Sequence, residues 1–521
     1  MRRLPYGLIA IYTAILAYVV ATAGWAVFRR FFSYDDAFFY LTIARNVARG
    51  AGSTFDGIAP TNGYQPLWLG LLSAAYRAAG PLTPDAGLRL AFVLAGICSI
   101  AGAALLVRLL DRLGASVPLQ VLGVLGLLSQ VGFWFFGMEA HLNVVIGGVF
   151  LGQVWQQWTS AGAGRATSMR GAWVMAILGA LVALTRLDLF IWVAICLVAL
   201  SVARRSAGVP MMRVLRLAAV EQGGSGGIVL AYLASNRMIF GHWLPISAAL
   251  KSKPFGFSWA ELQIFHPIDA VQGVVIVLAA AVMLAWTVRV GLRDGPATLV
   301  AKRIGFGGLL ALCVLGHVAM LLLFSNLVEP RYLVLPSYAV LLMMAIGVTE
   351  LGTAASAARR RLLGWVVTAA ALVIAAGLAG VVARNVPAST PPLGGLAPFR
   401  GAIMKYVTRD TVIFQLDAAG ETAWFCDCHL INGDGLVNSW DYQRYVSERR
   451  VAEYLTAVGT EFVVDIDNST DPAATTFLWI TGFDWKTGAD FPIVGYRAAD
   501  AVVRVGRFRL FRFPGSSIPA R

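Results

Sequence analysis

Tyr34-Asp35-Asp36-Ala37-Phe38-Phe39-Tyr40-Leu41-Thr42-Ile43-Ala44-Arg45-Asn46 comes shortly after an apolar run, Leu8 to Phe28. That run is long enough to cross a bilayer as one helix, and the two carboxylates stand just beyond it. Paired acids at such a boundary are costly unless they are solvated, paired or used. They therefore mark where the chain leaves the membrane, and they single out the first outer loop, residues 29–66, for its chemistry. Arg2-Arg3 precede the run and no small-residue cleavage site follows it, so a retained helix is expected rather than a removed signal.

The rest of the chain has the same character. Of its 521 residues, 58% are hydrophobic and 13% charged, where a soluble domain is nearer a quarter charged. Apolar runs occupy 8–28, 66–80, 87–110, 117–136, 139–158, 171–184, 187–203, 213–234, 269–292, 304–326, 331–350 and 362–384. The expected fold is a polytopic α-helical membrane protein of about 11–12 transmembrane segments, some of them short, tilted or re-entrant. It divides into a membrane part, 1–384, and a C-terminal extracytoplasmic α/β domain, 385–521.

The net charge of +14 invites a nucleic-acid reading, and its distribution removes that reading. Residues 385–521 carry 13 Lys/Arg against 15 Asp/Glu. The basic excess sits in short loops of the membrane part, at Arg165/Arg170, Arg204/Arg205, Arg213/Arg216, Lys302/Arg303 and Arg359–Arg361. This is positive-inside bias, so no nucleic-acid partner is expected. With those loops inside, the tail, the first loop and Gly241–Pro254 lie outside. Arg108 and Arg112 conflict with this parity if the 66–80 segment crosses fully, which leaves the topology of 66–158 open.

The tail opens on a Pro-rich linker, Asn385 to Pro398, and then reads as α/β. Strands are expected over Thr411–Leu416, Glu461–Asp465 and Val502–Phe513, and a helix over Tyr442–Ala457. Cys98, Cys196 and Cys313 lie in apolar runs as packing residues. Cys426 and Cys428 lack the second ligand pair of a zinc site, and a disulfide between them is expected to be strained. Asn468-Ser469-Thr470 matches a glycosylation sequon, which carries meaning only in a eukaryotic secretory setting.

In the first loop, Phe39, Ile43 and Val47 recur at helical spacing, extended by Tyr40, Ala44 and Ala48. This fits a short helix at the membrane surface with both carboxylates at its N-terminus. A helix start favours anions, so one Asp can serve as an N-cap. A cap accounts for one carboxylate and leaves the other. The segments Gly50–Gly57 and Thr61-Asn62-Gly63-Tyr64-Gln65-Pro66-Leu67-Trp68 follow, with the residue types of a carbohydrate-facing or interfacial surface.

Asp-Asp-Ala-Phe, Ile-Ala-Arg-Asn, a Gly-rich stretch and Asn-Gly-Tyr-x-Pro-Leu-Trp together resemble the first periplasmic loop of the GT-C superfamily of membrane glycosyltransferases. The closest likeness is to bacterial members related to arabinofuranosyl- and mannosyltransferases. Further pieces follow in order: Gly137-Met138-Glu139, Leu184-Thr185-Arg186-Leu187-Asp188, Pro245 to Lys251, Glu329-Pro330-Arg331-Tyr332, and Asp434-Gly435-Leu436-Val437-Asn438 in the tail. Leu187 and Leu189 stand where that group usually has Pro and Gly, and Gln65 where many relatives have His.

The resemblance implies an inverting transferase, at the outer face of a bacterial inner membrane, that moves a hexosyl or pentosyl group. The donor is a polyprenyl-phosphate sugar and the acceptor a hydroxyl of an envelope glycan, lipid or protein. A first-loop carboxylate is the general base. The family's acidic doublet points to Asp35 and the spacing to Arg45 points to Asp36; Asp36 is preferred and both are kept. Some members use Mn²⁺ or Mg²⁺, for which Asp35 or Asp36 is the expected ligand, and others act without metal. Substrate contacts are expected from Tyr40, Arg45, Asn62, Tyr64, Gln65, Glu139, His141, Arg186, Asp188, Lys251, Lys253, Arg331 and Tyr332. The cations Arg186, Lys251, Lys253 and Arg331 suit a leaving phosphate. Each has a structural alternative: a dipole partner for Glu139, a salt bridge for Arg186 with Asp188, snorkelling for Lys251.

Two other functions share part of this pattern. A transporter or flippase of lipid-linked sugars would have broken helices and membrane carboxylates, and it would be expected to show repeated halves, which this sequence lacks. A non-catalytic assembly protein would place its active surface in the tail and would not need an acidic pair in the first loop.

Overall fold

The computed structural model describes residues 3–514 apart from 25–26, 29–30, 33–34, 166, 257–266, 326–327, 355–365, 368–369, 371–395, 427, 467–476 and 507. Most of the expected last segment, 362–384, most of the Pro-rich linker, Arg359–Arg361 and the sequon lie outside the described residues.

The chain is a polytopic helical membrane protein with a C-terminal α/β region. Among the described residues, six helices are long and apolar enough to cross a bilayer: Leu4–Thr22, Pro84–Arg112, Leu187–Ser206, Gln272–Asp294, Arg303–Phe324 and Pro330–Thr353. Val117–Val131 and Met169–Thr185 are apolar but shorter. The 66–80 run forms an amphipathic helix, Pro66–Ala79, started by Pro66 in its first turn and stopped at Gly80, φ +76°. Its 14 residues rise only about 21 Å, short of the hydrocarbon thickness.

Contacts divide the chain into two compact units. One comprises 1–23, 93–232 and 253–387; the other comprises 24–92, 233–252 and 388–521. The first outer loop and the segment before Lys253 thus belong with the tail.

The membrane unit is held by apolar packing and by one fully buried ion pair. Arg204 and Glu221, 1% and 0% exposed, meet through two hydrogen bonds of 2.7 Å, and Gln157 accepts a further bond from Arg204. An unpaired charge at such depth would carry its whole desolvation cost, so each residue depends on the other.

In the second unit, a five-stranded sheet has the order β2-β1-β3-β7-β6. Here β1 is Val412–Gln415, β2 His429–Asn432, β3 Phe462–Ile466, β6 Val503–Val505 and β7 Phe508–Arg512. Strands β1, β2 and β3 run parallel, while β7 and β6 pair antiparallel. A separate hairpin pairs β4, Phe477–Asp484, with β5, Ala489–Arg497. The core gathers Phe414, Ile431, Tyr442, Leu455, Val463 and Phe511.

The expected strands over 411–416, 461–465 and 502–513 form, the last as two strands joined by a turn. The expected helix 442–457 is two helices, Trp440–Ser447 and Val451–Ala457. The break falls at Arg449, φ +56°, a left-handed backbone that no helix can propagate. Cys426 and Cys428 form a disulfide, Cα atoms 5.2 Å apart. That separation lies within the ordinary range for a disulfide.

Candidate functional site

The acidic pair is split between two tasks. The helix Asp36–Ala48 begins at Asp36, and Asp35 is its N-cap residue. Asp35 makes no side-chain bond to that helix. Its carboxylate instead accepts from Gly420 N and Glu421 N, both at 2.8 Å, and so caps the helix Ala419–Cys426 of the tail. That helix follows β1, and the N-terminus of a helix entered from a parallel strand is a ready anion site. A protein carboxylate occupies it here. The fit requires glycine: a Cβ at Gly420 would lie 2.6 Å from Asp35 O and 3.0 Å from Oδ2. Gly420→Ala is expected to lower stability by about 1–3 kcal/mol through overpacking, read as the Tm of the purified protein.

The other end of the same helix is gripped by Arg45. Its guanidinium donates to Trp424 O at 2.9 Å and Ala423 O at 3.2 Å and lies over the Trp424 ring at 4.6 Å. Cationic donors suit a helix C-terminus. Asp35 and Arg45, ten positions apart, thus hold the two ends of one tail helix.

Other polar residues of the loop are similarly engaged. Asn62 is 1% exposed; its Oδ1 accepts from Ile246 N at 3.0 Å and its Nδ2 donates to Leu244 O at 3.4 Å. Tyr40 OH accepts from Gln65 N at 3.1 Å, and Tyr64 OH pairs with Ser53 Oγ at 2.6 Å. Buried Asp56 accepts from Ile58 N and Ala59 N, and its carbonyl meets His429 Nδ1 at 2.7 Å. Burial pushes the Asp56 carboxyl up from its ordinary range, against these hydrogen bonds. At Gly63 an added Cβ would collide with Leu436 O.

Asp434 joins the acidic pair from the tail. Its Oδ1 accepts from Leu436 N at 2.8 Å, and its carbonyl accepts from Trp485 Nε1 at 2.9 Å. Lys251 lies over the Trp485 ring at 5.4 Å, and Lys486 donates to Ser252 O at 3.0 Å. His242 stacks on Trp440 with centroids 3.7 Å apart. The Asp434 carboxyl is pushed up to about 7, chiefly by burial and further by the charges of Asp36 and Asp35, against the pull of the Leu436 amide and Lys251. Sequence reasoning placed Asp434 in a motif without giving it a role. The signal was a lone acid between two glycines in an otherwise apolar stretch.

No family model matches the chain, and no curated protein matches it. Several solved chains are similar to this one. The archaeal oligosaccharyltransferase AglB from Archaeoglobus fulgidus, in complex with an inhibitory peptide and a dolichol-phosphate, aligns at a TM-score of 0.49 and 12% identity, over 89% of this chain and 69% of that one.

The remaining expected residues belong to the membrane unit. Arg186 donates to Glu139 Oε1 at 2.8 Å and to both oxygens of Asp188 at 3.1 and 2.9 Å. His317 Nε2 meets Asp188 Oδ2 at 3.1 Å. The Tyr332 ring lies 4.0 Å from the Arg186 guanidinium and 5.6 Å from that of Arg331, which pairs with Glu329 at 2.7 Å. Glu139, Arg186, Asp188, Arg331 and Tyr332 therefore converge, with His317 and Glu329 added by the structure. Each guanidinium already has a carboxylate partner. His141 faces elsewhere, its Nδ1 2.7 Å from Ser99 Oγ, and Lys253 N donates to Phe324 O at 2.9 Å.

For a divalent metal, the donor set of the acidic pair is poor. Both oxygens of Asp35 accept backbone amides. Among the described residues no group of three His, Cys, Asp or Glu is placed to hold an ion. These residues do not offer the oxygen-rich shell of Mn²⁺ or Mg²⁺.

Proposed function

We propose that the protein is a membrane glycosyltransferase that moves a sugar from a polyprenyl-phosphate carrier to a hydroxyl of an envelope glycan, lipid or protein, at the outer face of a bacterial inner membrane. The observation that carries this reading is the division of labour in the acidic pair. Asp35 is fixed by two backbone amides of the tail helix, and in this reading its neighbour Asp36, whose charge reaches Asp434, does the acid–base work.

In this reading Asp36 takes the proton of the acceptor hydroxyl as its oxygen bonds to the anomeric carbon. The bond from that carbon to the phosphate oxygen breaks, its electron pair leaves with the polyprenyl phosphate, and attack opposite the leaving group inverts the centre. Lys251 stands as the cation for the departing phosphate. The ordered motif series supports the same assignment.

The test is reconstitution of the full chain in vesicles with a radiolabelled polyprenyl-phosphate sugar. Incorporation of label into an added glycan or glycolipid acceptor is expected. Movement of intact lipid-linked sugar across the bilayer without transfer would replace this reading with a flippase.

A further inference from the structure

The loop Gly433–Asn438 is over-determined for a surface turn. Tyr442 OH donates to Gly433 O at 2.8 Å, Gln443 Nε2 to Gly435 O at 3.1 Å, Trp485 Nε1 to Asp434 O at 2.9 Å and Asn438 Nδ2 to Asn432 O at 3.0 Å. Gly63 of the first loop closes on Leu436 O. Such restraint is what a group held for recognition requires.

The side chain carried by this loop is Asp434. One oxygen makes the turn bond to Leu436 N; the other has no hydrogen-bond partner among the described residues. The turn bond alone does not call for a carboxyl, since Asn forms it as well and Ser forms it more weakly. A carboxyl here carries a cost, because it is partly desolvated and faces Asp36 and Asp35. Independently, Asn432 closes β2 two positions earlier, 1% exposed, with neither Oδ1 nor Nδ2 bonded. Buried amides left without partners are rare and call for an explanation. A hydroxyl of a ligand supplies a partner to the second oxygen of Asp434.

We infer that Asp434 is a specificity-determining residue whose second oxygen binds a hydroxyl of a sugar-like acceptor, next to the hydroxyl that Asp36 deprotonates. This rests on the glycosyltransferase reading above. At neutral pH a carboxyl raised to about 7 exists in both forms, so it can donate to or accept from an alcohol.

The experiment uses the full-length protein in vesicles with a polyprenyl-phosphate sugar. The acceptor probes are octyl glycosides of common envelope hexoses and pentoses, and the monodeoxy forms of whichever one the wild type glycosylates. Asp434→Asn and Asp434→Ser keep an atom for the Leu436 amide; Ser also removes the second oxygen. For Asp434→Ser the acceptor KM is expected to rise about tenfold, while kcat and the donor KM hold to within about twofold. One monodeoxy acceptor should cost the wild type that factor and cost Asp434→Ser nothing.

Stability gives a second readout. A carboxyl whose folded value lies above its unfolded one keeps a proton that the unfolded chain gives up, so its contribution falls as pH rises from about 4 to 7. Asp434→Asn should therefore raise Tm at pH 8 relative to wild type and not at pH 4. Unchanged acceptor KM with full transfer overturns the inference alone. A fall in Tm at pH 8 with donor and acceptor KM moving together assigns Asp434 to the turn and also overturns it. A wild type that transfers to none of the probes defeats the transferase reading itself.

Discussion

Asp36→Asn is expected to lower transfer about a thousandfold, the usual range for loss of a general base, with a change in Tm too small to account for that loss. The amide keeps the shape and size of the carboxylate and cannot take a proton. The comparison that gives this result meaning is Asp35→Asn. Asp35 serves a helix end through Gly420 N and Glu421 N. An amide oxygen can still accept one of these bonds, and loss of the charge costs roughly 0.5–2 kcal/mol. Asp35→Asn should therefore show a lower Tm and a partial loss of transfer, and Asp36→Asn the reverse pattern. Transfer rates and thermal melts of the two variants, measured side by side, check the division. If Asp35→Asn alone abolishes transfer at unchanged Tm, the roles are exchanged.

Arg204→Leu is expected to destabilise the membrane unit by roughly 3–5 kcal/mol, because Glu221 is left as a buried charge without its counterion. Glu221→Leu should cost a similar amount for the mirror reason. The double variant Arg204→Leu/Glu221→Leu should recover most of the loss, since two apolar side chains of similar volume replace a pair whose desolvation nearly offsets its attraction. Gln157, which accepts from Arg204, is left partly unsatisfied in the double variant and keeps recovery below complete. Unfolding in detergent, arranged as a double-mutant cycle, reads this directly. Additive losses would mean that the two residues act independently.

The membrane-spanning character was legible because apolar length is a local property of sequence. So was the helix after the acidic pair, from the spacing of Phe39, Ile43 and Val47. The strands with plain alternation or β-branched runs were legible too. Strand β2 was not, because His429–Asn432 sets two adjacent apolar residues between two polar ones and shows no alternation. The role of Asp35 was not legible either. Local reasoning makes it the cap of its own helix, whereas its partners lie 385 and 386 residues away. Arg45 and Asn62 share this: both read as ligand contacts, and both meet distant backbone.

The helix Ala419–Cys426, tied by Asp35 at one end and Arg45 at the other, bears on how such chains can be recombined. A tail transplanted from a related protein would arrive with a helix shaped for a different loop. A chimera cut at the linker before Leu396 should thus fail unless residues 24–92 travel with the tail. The heritable module is a pair of segments distant in sequence, and substitutions in one are expected to be answered in the other.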